Sequence, residues 1–398
     1  MAHFNISKIA RQLQRSVMRD LMKYAVDPDI VSMAGGLPAS ECLPVEVLQD
    51  CADRVLRRDR SEALQYGPPF QPLKEWIANY MQKQGVDCTA EQIHITNGAQ
   101  QGLAILSRLF CDPGEPAVIE AVTFTGVQQV TVGRRLQVET VPTDLQTGVD
   151  VEALECAFKR DPRPKMAILI PNFHNPLGVS ISVEKRRAIL ALAEKYAVPI
   201  VEDDPYSPLR FSGRAVPSMK ALDRSGMVFY IGSFSKMLAP AARLGWIVAP
   251  GELGDRITVL RESLDLESSQ LWQRIVFEFL DQGHLEPHLD RLNSVNRRRK
   301  EICIRELQKY LAPLGVHWTD PQGGLFIWLT LPEGIDSMRM FRRVIAKKMA
   351  YIPGGAFAVK GGYQNTIRLN FSNLADDHIP VAIQRLAEGI AEELQEKG

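Results

Sequence analysis

No stretch of the 398-residue sequence stays apolar for longer than a strand; runs such as Met166-Ala-Ile-Leu-Ile170 fall far short of the roughly 20 residues a membrane helix needs. No transmembrane segment is expected. The six cysteines, at 42, 51, 88, 111, 156 and 303, form no Cys-x-x-Cys pair and follow no secretory leader, so a disulfide framework is not expected and a reducing cytoplasm fits best. Charge of one sign is not in surplus either. Lys plus Arg number 47 against 47 Asp plus Glu, which argues against a polyanionic partner such as nucleic acid. Internal repeats and low-complexity tracts are missing, as are a Walker-type phosphate loop, a Rossmann glycine triplet and a nucleophile elbow. The pair His284 and His288 has helical spacing, but Glu286 is misplaced for a zinc motif and Pro287 should disturb the helix, so no metal is expected.

What is present is ordinary globular composition, 45% hydrophobic and 24% charged, in a chain long enough for two packed domains sharing a cleft. From about residue 90 to 250 short apolar strands alternate with helical patterns. Strands are expected at Ile93–Thr96, Ala117–Glu120, Met166–Pro171, Pro199–Glu202, Met227–Ile231 and Gly245–Ala249, with helices over Gln100–Phe110 and Lys185–Tyr196. That alternation signals a mainly parallel sheet flanked by helices. Long helices follow around Leu271–Leu311, then a mixed section from His317. The expected division is a large domain over 46–290, and a smaller α/β domain over 291–398 joined by an N-terminal helix and arm, 1–45. The run Arg297-Arg-Arg-Lys300 reads as a solvated bridge between the two. In the first 25 residues Ile6, Ile9, Leu13, Val17 and Leu21 recur at helical spacing with Ser7 placed as a cap, which favours a docked helix over a cleaved basic leader.

Chemistry concentrates around Lys236. It follows an apolar strand in Ser233-Phe-Ser235-Lys236, with Arg243 seven residues on. Two hydroxyls and a guanidinium suit a phosphate ester, and a lysine beside it can condense with an aldehyde once desolvation or nearby cations lower its pKa. Gly98-Ala99-Gln100 opens a helix whose free N–H groups also suit a phosphate.

The stretch Ser-x-Ser-Lys followed by Arg243-Leu-Gly resembles the cofactor-lysine signature of fold-type I pyridoxal-phosphate enzymes. Four further segments resemble that family's motifs in order and spacing: Thr96-Asn-Gly98-Ala99-Gln100, Asn172-Phe-His-Asn175-Pro176-Leu-Gly178, Glu202-Asp203-Asp204-Pro205-Tyr206 and Thr366-Ile-Arg368-Leu-Asn-Phe371. The resemblance implies pyridoxal 5′-phosphate held on Lys236, its phosphate cupped by Gly98, Ala99, Gln100, Ser233, Ser235 and Arg243. It implies Asp203 at the pyridine nitrogen, Asn175 and Tyr206 at the phenolic oxygen, and Phe124 stacked on the ring. The residues alone leave Asp203 and Asp204 both open; the family spacing to Tyr206 selects Asp203. Arg368, with Asn175 and Gly36, is implied for the substrate carboxylate.

Ser32-Met-Ala-Gly35-Gly36-Leu37-Pro38 and Leu64-Gln-Tyr66 resemble the branch containing kynurenine and α-aminoadipate aminotransferases and the aminotransferase domains of MocR-type regulators. This implies amino transfer from an L-amino acid to a 2-oxo acid, and a homodimer in which Tyr66 reaches the neighbouring subunit's phosphate. Arg19 matches a position that meets an acidic substrate side chain in that branch, pointing to 2-oxoglutarate as one partner. Phe124 replaces the usual tyrosine, so decarboxylation, elimination or oxidative deamination stays open beside amino transfer. A MocR-like regulator is disfavoured, because the fold is expected to start within the first few residues, with no DNA-binding domain ahead of it.

Overall fold

Seven strands build the main sheet of the chain. The computed structural model describes residues 5–12, 27 and 29–396, and places β1 at Ile93–Thr96, β2 at Pro116–Glu120, β3 at Gln137–Val141, β4 at Ala167–Leu169, β5 at Ile200–Asp203, β6 at Val228–Ser233 and β7 at Gly245–Val248. Their order across the sheet is β1-β7-β6-β5-β4-β2-β3. All neighbours are parallel except β7, which runs antiparallel to both β1 and β6.

Successive residues along each strand face opposite layers. Val118, Ile200 and Val228 pack with Leu154 and Ile189 on one face; Ile119, Val201 and Phe229 pack with Ile105 and Leu106 on the other. Burial on both faces is why these strands read as unbroken apolar runs, each large side chain contributing about 1.5–3 kcal/mol. β3 escaped the sequence reading because it is a polar edge strand, Gln-Val-Glu-Thr-Val, with only Val141 fully buried. β4 is shorter than expected, and the Ile170 N–H donates to the Glu120 carboxylate. Helices α1 (Ala99–Phe110), α2 (Thr125–Gly133) and α3 (Val183–Tyr196) lie in the flanking layers, α3 capped by Ser182, whose hydroxyl accepts from the Lys185 N–H. A single-turn helix, α4 (Phe234–Met237), follows β6, and α5 (Gly254–Asp265) follows β7.

The second sheet is antiparallel: β8 (His317–Trp318), β9 (Phe326–Thr330), β10 (Ile352–Pro353) and β11 (Thr366–Asn370), in the order β8-β9-β11-β10. Its core includes Ile327, Leu329, Ile367 and Leu369 against Ile379, Ile383, Leu386 and Ile390 of a long terminal helix over His378–Gln395. Val31–Ser32 pairs in parallel with Met349–Ala350, and the Asn370 N–H donates to Met33 O at 2.8 Å, so the segment Met33–Leu37 is drawn alongside β11.

Two sequence expectations on the charged helix Leu285–Tyr310 change. Pro287 falls in its first turn, where no intrahelical N–H bond is lost. The run 297–300 is solvated only in part: Arg297 and Arg298 are exposed, whereas Arg299 is buried and bonds Asp376, Ser372 O and Glu41, and Lys300 pairs with Asp320. Near the N-terminus Ser7 accepts from the Ala10 N–H and opens a helix over Lys8–Gln12; the rest of the expected apolar stripe, and Arg19 with it, lies outside the described residues. Among the described residues no helix is long and apolar enough to cross a membrane.

Candidate active site

The topology brings several strand ends to one edge of the main sheet. β1 ends at Thr96 opposite Gly245, where antiparallel β7 begins, and Asp203 at the end of β5 pairs in register with Ile231 of β6. Crevices at the carboxyl ends of such sheets are where ligands bind. The loop after β4 carries Asn172–Gly178, and the connection after β2 carries Phe124.

Lys236 lies in α4, and its Nζ donates to Gly36 O at 2.7 Å. Burial, reinforced by the nearby Arg368 and Arg243 cations, lowers its ammonium from 10.5 to about 8. The amine is thereby closer to its nucleophilic form near neutral pH.

The adjacent acids Asp203 and Asp204 are both buried but differ in what they hold. Asp204 accepts from Asn172 Nδ2 at 3.0 Å, from the Ser207 N–H at 3.1 Å and from the Ser207 hydroxyl. Asp203 Oδ1 has no hydrogen-bond partner among the described residues. Desolvation, with the Asp204 charge beside it, raises the Asp203 carboxyl from 3.8 to about 7. A buried acid in this state calls for a cationic donor from outside the chain.

Asn175 links two further groups: its Nδ2 donates to the Tyr206 hydroxyl at 3.1 Å, and its Oδ1 accepts from Arg368 Nη1 at 3.0 Å. Arg368 is fully buried, donates through Nη2 to Ala34 O at 2.7 Å and Gly35 O at 3.2 Å, and lies over the rings of Phe326 and Phe357 at 4.3 and 4.8 Å. No carboxylate pairs with it among the described residues, and its Nε is unpartnered there, so desolvation lowers it from 12.5 to about 9. This is a cation prepared for an incoming anion.

The third cluster surrounds Gly98. Arg243 donates to Asn97 O at 3.1 Å and to the Ser235 hydroxyl at 3.4 Å. Gly98 has φ +77°, and a Cβ there would meet Arg243 Nη2 at 2.8 Å. The first N–H groups of α1, at Ala99 and Gln100, have no intrahelical acceptor. Ser233 is buried, and its hydroxyl accepts the Ser235 N–H as the cap of α4, which leaves the hydroxyl proton free to donate. The Gln100 side chain turns away, donating to Gly126 O at 3.0 Å beside the half-buried Phe124 ring. Tyr66 stands apart, 76% exposed, with no hydrogen bond to the site residues among the described residues.

Sequence reasoning passed over most of the supports and read His174 only as a loop histidine near Asn175. Arg186, fully buried, donates to Asn172 Oδ1 at 2.6 Å and to the Pro171, Ile181 and Pro217 carbonyls, pinning the loop behind Asp204. His174 faces Glu120 at 2.9 Å, both buried under the same loop. Asn370 and Ser372 hold the Gly35 and Leu37 carbonyls. Glycine is required at the loop's end: Gly178 has φ +72°, and a Cβ would lie 2.5 Å from Phe326 O. Because that atom is backbone, Gly178→Ala is expected to destabilise the chain by about 2 kcal/mol or more. Urea unfolding checks this, and a loss below about 0.5 kcal/mol would contradict the close approach.

Comparison with known proteins follows the same lines. The profile of the family described as aminotransferase class I and II matches residues 36–386. Aromatic-amino-acid aminotransferase 1 of Thermococcus litoralis is 37% identical, aligned over 98% of this chain and 94% of its own. The 2-aminoadipate transaminase of Thermus thermophilus is 34% identical over 96% of both. Among solved structures, Pyrococcus horikoshii kynurenine aminotransferase, crystallised with PMP, superposes with a TM-score of 0.93 at 37% identity, covering 98% of this chain and 97% of that one.

Proposed function

Since the chain belongs to the aminotransferase class I and II family, transfers amino groups and uses pyridoxal 5′-phosphate, we propose that the strand-end cluster around Lys236 is where it does so. The observation that carries this reading is the unpartnered Asp203 Oδ1, a buried carboxylate oxygen that fits a protonated pyridine nitrogen. The other donor sets fit as well. The missing side chain of Gly98 lets the Arg243 guanidinium lie against the turn at the start of α1, beside the free N–H groups of that helix.

In this reading Gly98, the Ala99 and Gln100 N–H groups, Ser233, Ser235 and Arg243 hold the phosphate, Ser233 also accepting the Ser235 N–H. Asp203 takes the ring N–H, Tyr206 donates to the phenolic oxygen under the direction of Asn175, and Phe124 covers a ring face. When bound, the cofactor supplies an aldehyde that exchanges amines and a ring that draws electrons from the substrate's Cα. Lys236 holds it and, once displaced by substrate, takes the Cα proton as general base. Its lowered pKa serves both duties. Arg368 fixes the α-carboxylate through its remaining donors, including Nε, and the Phe326 and Phe357 rings beneath it hold the guanidinium in plane. A 2-oxo acid leaves, and a second one enters to reverse the sequence.

We take the donor to be an L-amino acid, as in the relatives named for aromatic amino acids, 2-aminoadipate and kynurenine, and 2-oxoglutarate to be the acceptor. The proposed active unit is a homodimer in which Tyr66 completes the partner's phosphate cup. Its support is a patch of exposed apolar side chains, Leu64, Tyr66 and Leu266, on segments joined by the Gly67 N–H bond to Glu267. The large domain over 46–290 and the small one over 1–45 with 291–398 remain our division, and the six unbridged cysteines favour a reducing compartment.

A single-turnover screen tests the assignment. Mixing the yellow holoenzyme with individual L-amino acids should bleach the yellow absorbance, and adding 2-oxoglutarate should restore it. No bleaching with any amino acid, or bleaching that no 2-oxo acid reverses, would overturn the reading.

A further inference from the structure

The phosphate cup proposed above rests on Asn97 and Gly98, and this turn is held from outside by a residue of a distant segment. Asp265, the last residue of α5, accepts on one carboxylate oxygen from both Asn97 Nδ2 and Gln101 Nε2, the latter at 2.6 Å. Gln101 Oε1 in turn accepts the Asn97 N–H at 2.7 Å, and Asn97 O accepts from Arg243 Nη2 at 3.1 Å. A closed ring of hydrogen bonds thus joins Asp265, Gln101 and Asn97, and Asn97 O extends it to Arg243. Beyond Asp265 the same segment continues to Glu267 and Gln270, which bond Gly67 N–H at 3.0 Å, Gly67 O at 2.8 Å and Pro68 O at 2.9 Å.

We infer that Asp265 is a positioning residue for the cofactor phosphate: it touches neither cofactor nor substrate, and acts by fixing the Asn97–Gly98 turn and, through Asn97 O, the Arg243 guanidinium. Three observations carry this. Asp265 is exposed and far in sequence from the turn, so its two hydrogen bonds reach outward from the helix that bears it. Asn97 receives a fixed position from both its side chain and its N–H, leaving the carbonyl aimed at Arg243. Gly98 tolerates no displacement toward Arg243, because the guanidinium already fills the place of a Cβ. A small rotation of this turn moves the α1 N-terminus and Arg243 together, and both are proposed phosphate ligands.

The inference rests on the phosphate cup of the preceding section, and a paired titration separates the two. Full-length protein freed of cofactor is titrated with pyridoxal 5′-phosphate and, separately, with phosphate-free pyridoxal, following absorbance. The parent chain should bind the phosphorylated form far more tightly; equal affinities would refute the cup itself. Asp265→Ala should weaken pyridoxal 5′-phosphate binding roughly fivefold, on the scale of lost charge-assisted hydrogen bonds at an exposed site, and leave pyridoxal binding unchanged. Asp265→Asn keeps an amide oxygen that accepts both donors and should restore most of the loss. An Ala variant whose two affinities fall in parallel, or whose phosphate preference matches the parent's, would overturn the positioning role, as would an Asn variant no better than Ala. Thermal unfolding of the cofactor-free variants should match the parent, because the effect is read on the ligand ratio.

Discussion

Lys236→Ala is expected to lower steady-state amino transfer by about four orders of magnitude, the scale of removing a general base that also serves as nucleophile. The loss should be chemical rather than structural. Lys236 is held by one hydrogen bond, to Gly36 O, and burying its ammonium costs the free chain stability, as its pKa of about 8 against 10.5 shows. Because the folded chain holds that proton less tightly, the penalty is present below pH 8 and fades as pH rises toward 10.5. The alanine variant without cofactor should therefore unfold at the same urea concentration as the parent or higher. Lys236→Arg separates charge from nucleophilicity: a guanidinium keeps the cation but stays protonated, so it should be as inactive as alanine. An arginine variant retaining a tenth of the parent rate would show that the charge alone suffices.

The second large effect falls on Asp203. Asp203→Asn is expected to reduce kcat about a thousandfold, because the amide no longer holds a full negative charge where the ring nitrogen must stay protonated. The same substitution should stabilise the cofactor-free chain. The folded carboxyl titrates near 7 instead of 3.8, so the folded state binds more protons than the unfolded one between those values, and stability falls as pH rises through that window. Above pH 7 asparagine should accordingly gain on the order of a few kcal/mol over the parent, a gain that vanishes by about pH 4. Urea unfolding at pH 4, 6 and 8 measures it. A variant less stable than the parent at pH 8 would mean that Asp203 is satisfied within the chain. Asp204→Asn is the contrast: burial raises this carboxyl too, but the Ser207, Arg186 and Asn172 groups around it oppose the rise, so any gain at neutral pH should be smaller than for Asp203→Asn.

These two acids show where reading residues in order stops. Asp203 and Asp204 are the same residue type at the same strand end, and only the fold gives one of them partners and leaves the other an open oxygen. Ser233 and Gln100 differ likewise. Ser233 accepts the Ser235 N–H as the cap of α4, a bond within its own turn, while the Gln100 side chain reaches Gly126 O, a carbonyl that only the packing brings to it. Arg186 and Asp265 carried no signal, and His174 read only as a loop histidine near Asn175, because the contacts that give them roles, Arg186 to Asn172, His174 to Glu120 and Asp265 to Asn97, are made by the fold.

Local chemistry and short-range pattern were enough to determine the alternating elements and the lysine between an apolar strand and an arginine. Each depends on residues within a few positions, where periodicity of burial acts directly. The antiparallel insertion of β7 between β1 and β6, which sets Arg243 against Asn97, was decided only by tertiary structure. So was the folding of Met33–Leu37 along β11, which brings Gly36 to Lys236 and Ala34 to Arg368. The physical reason is the same in both cases: a buried charge takes its pKa and its partners from whatever the packed chain brings within a few ångströms, and chain order carries no record of that distance.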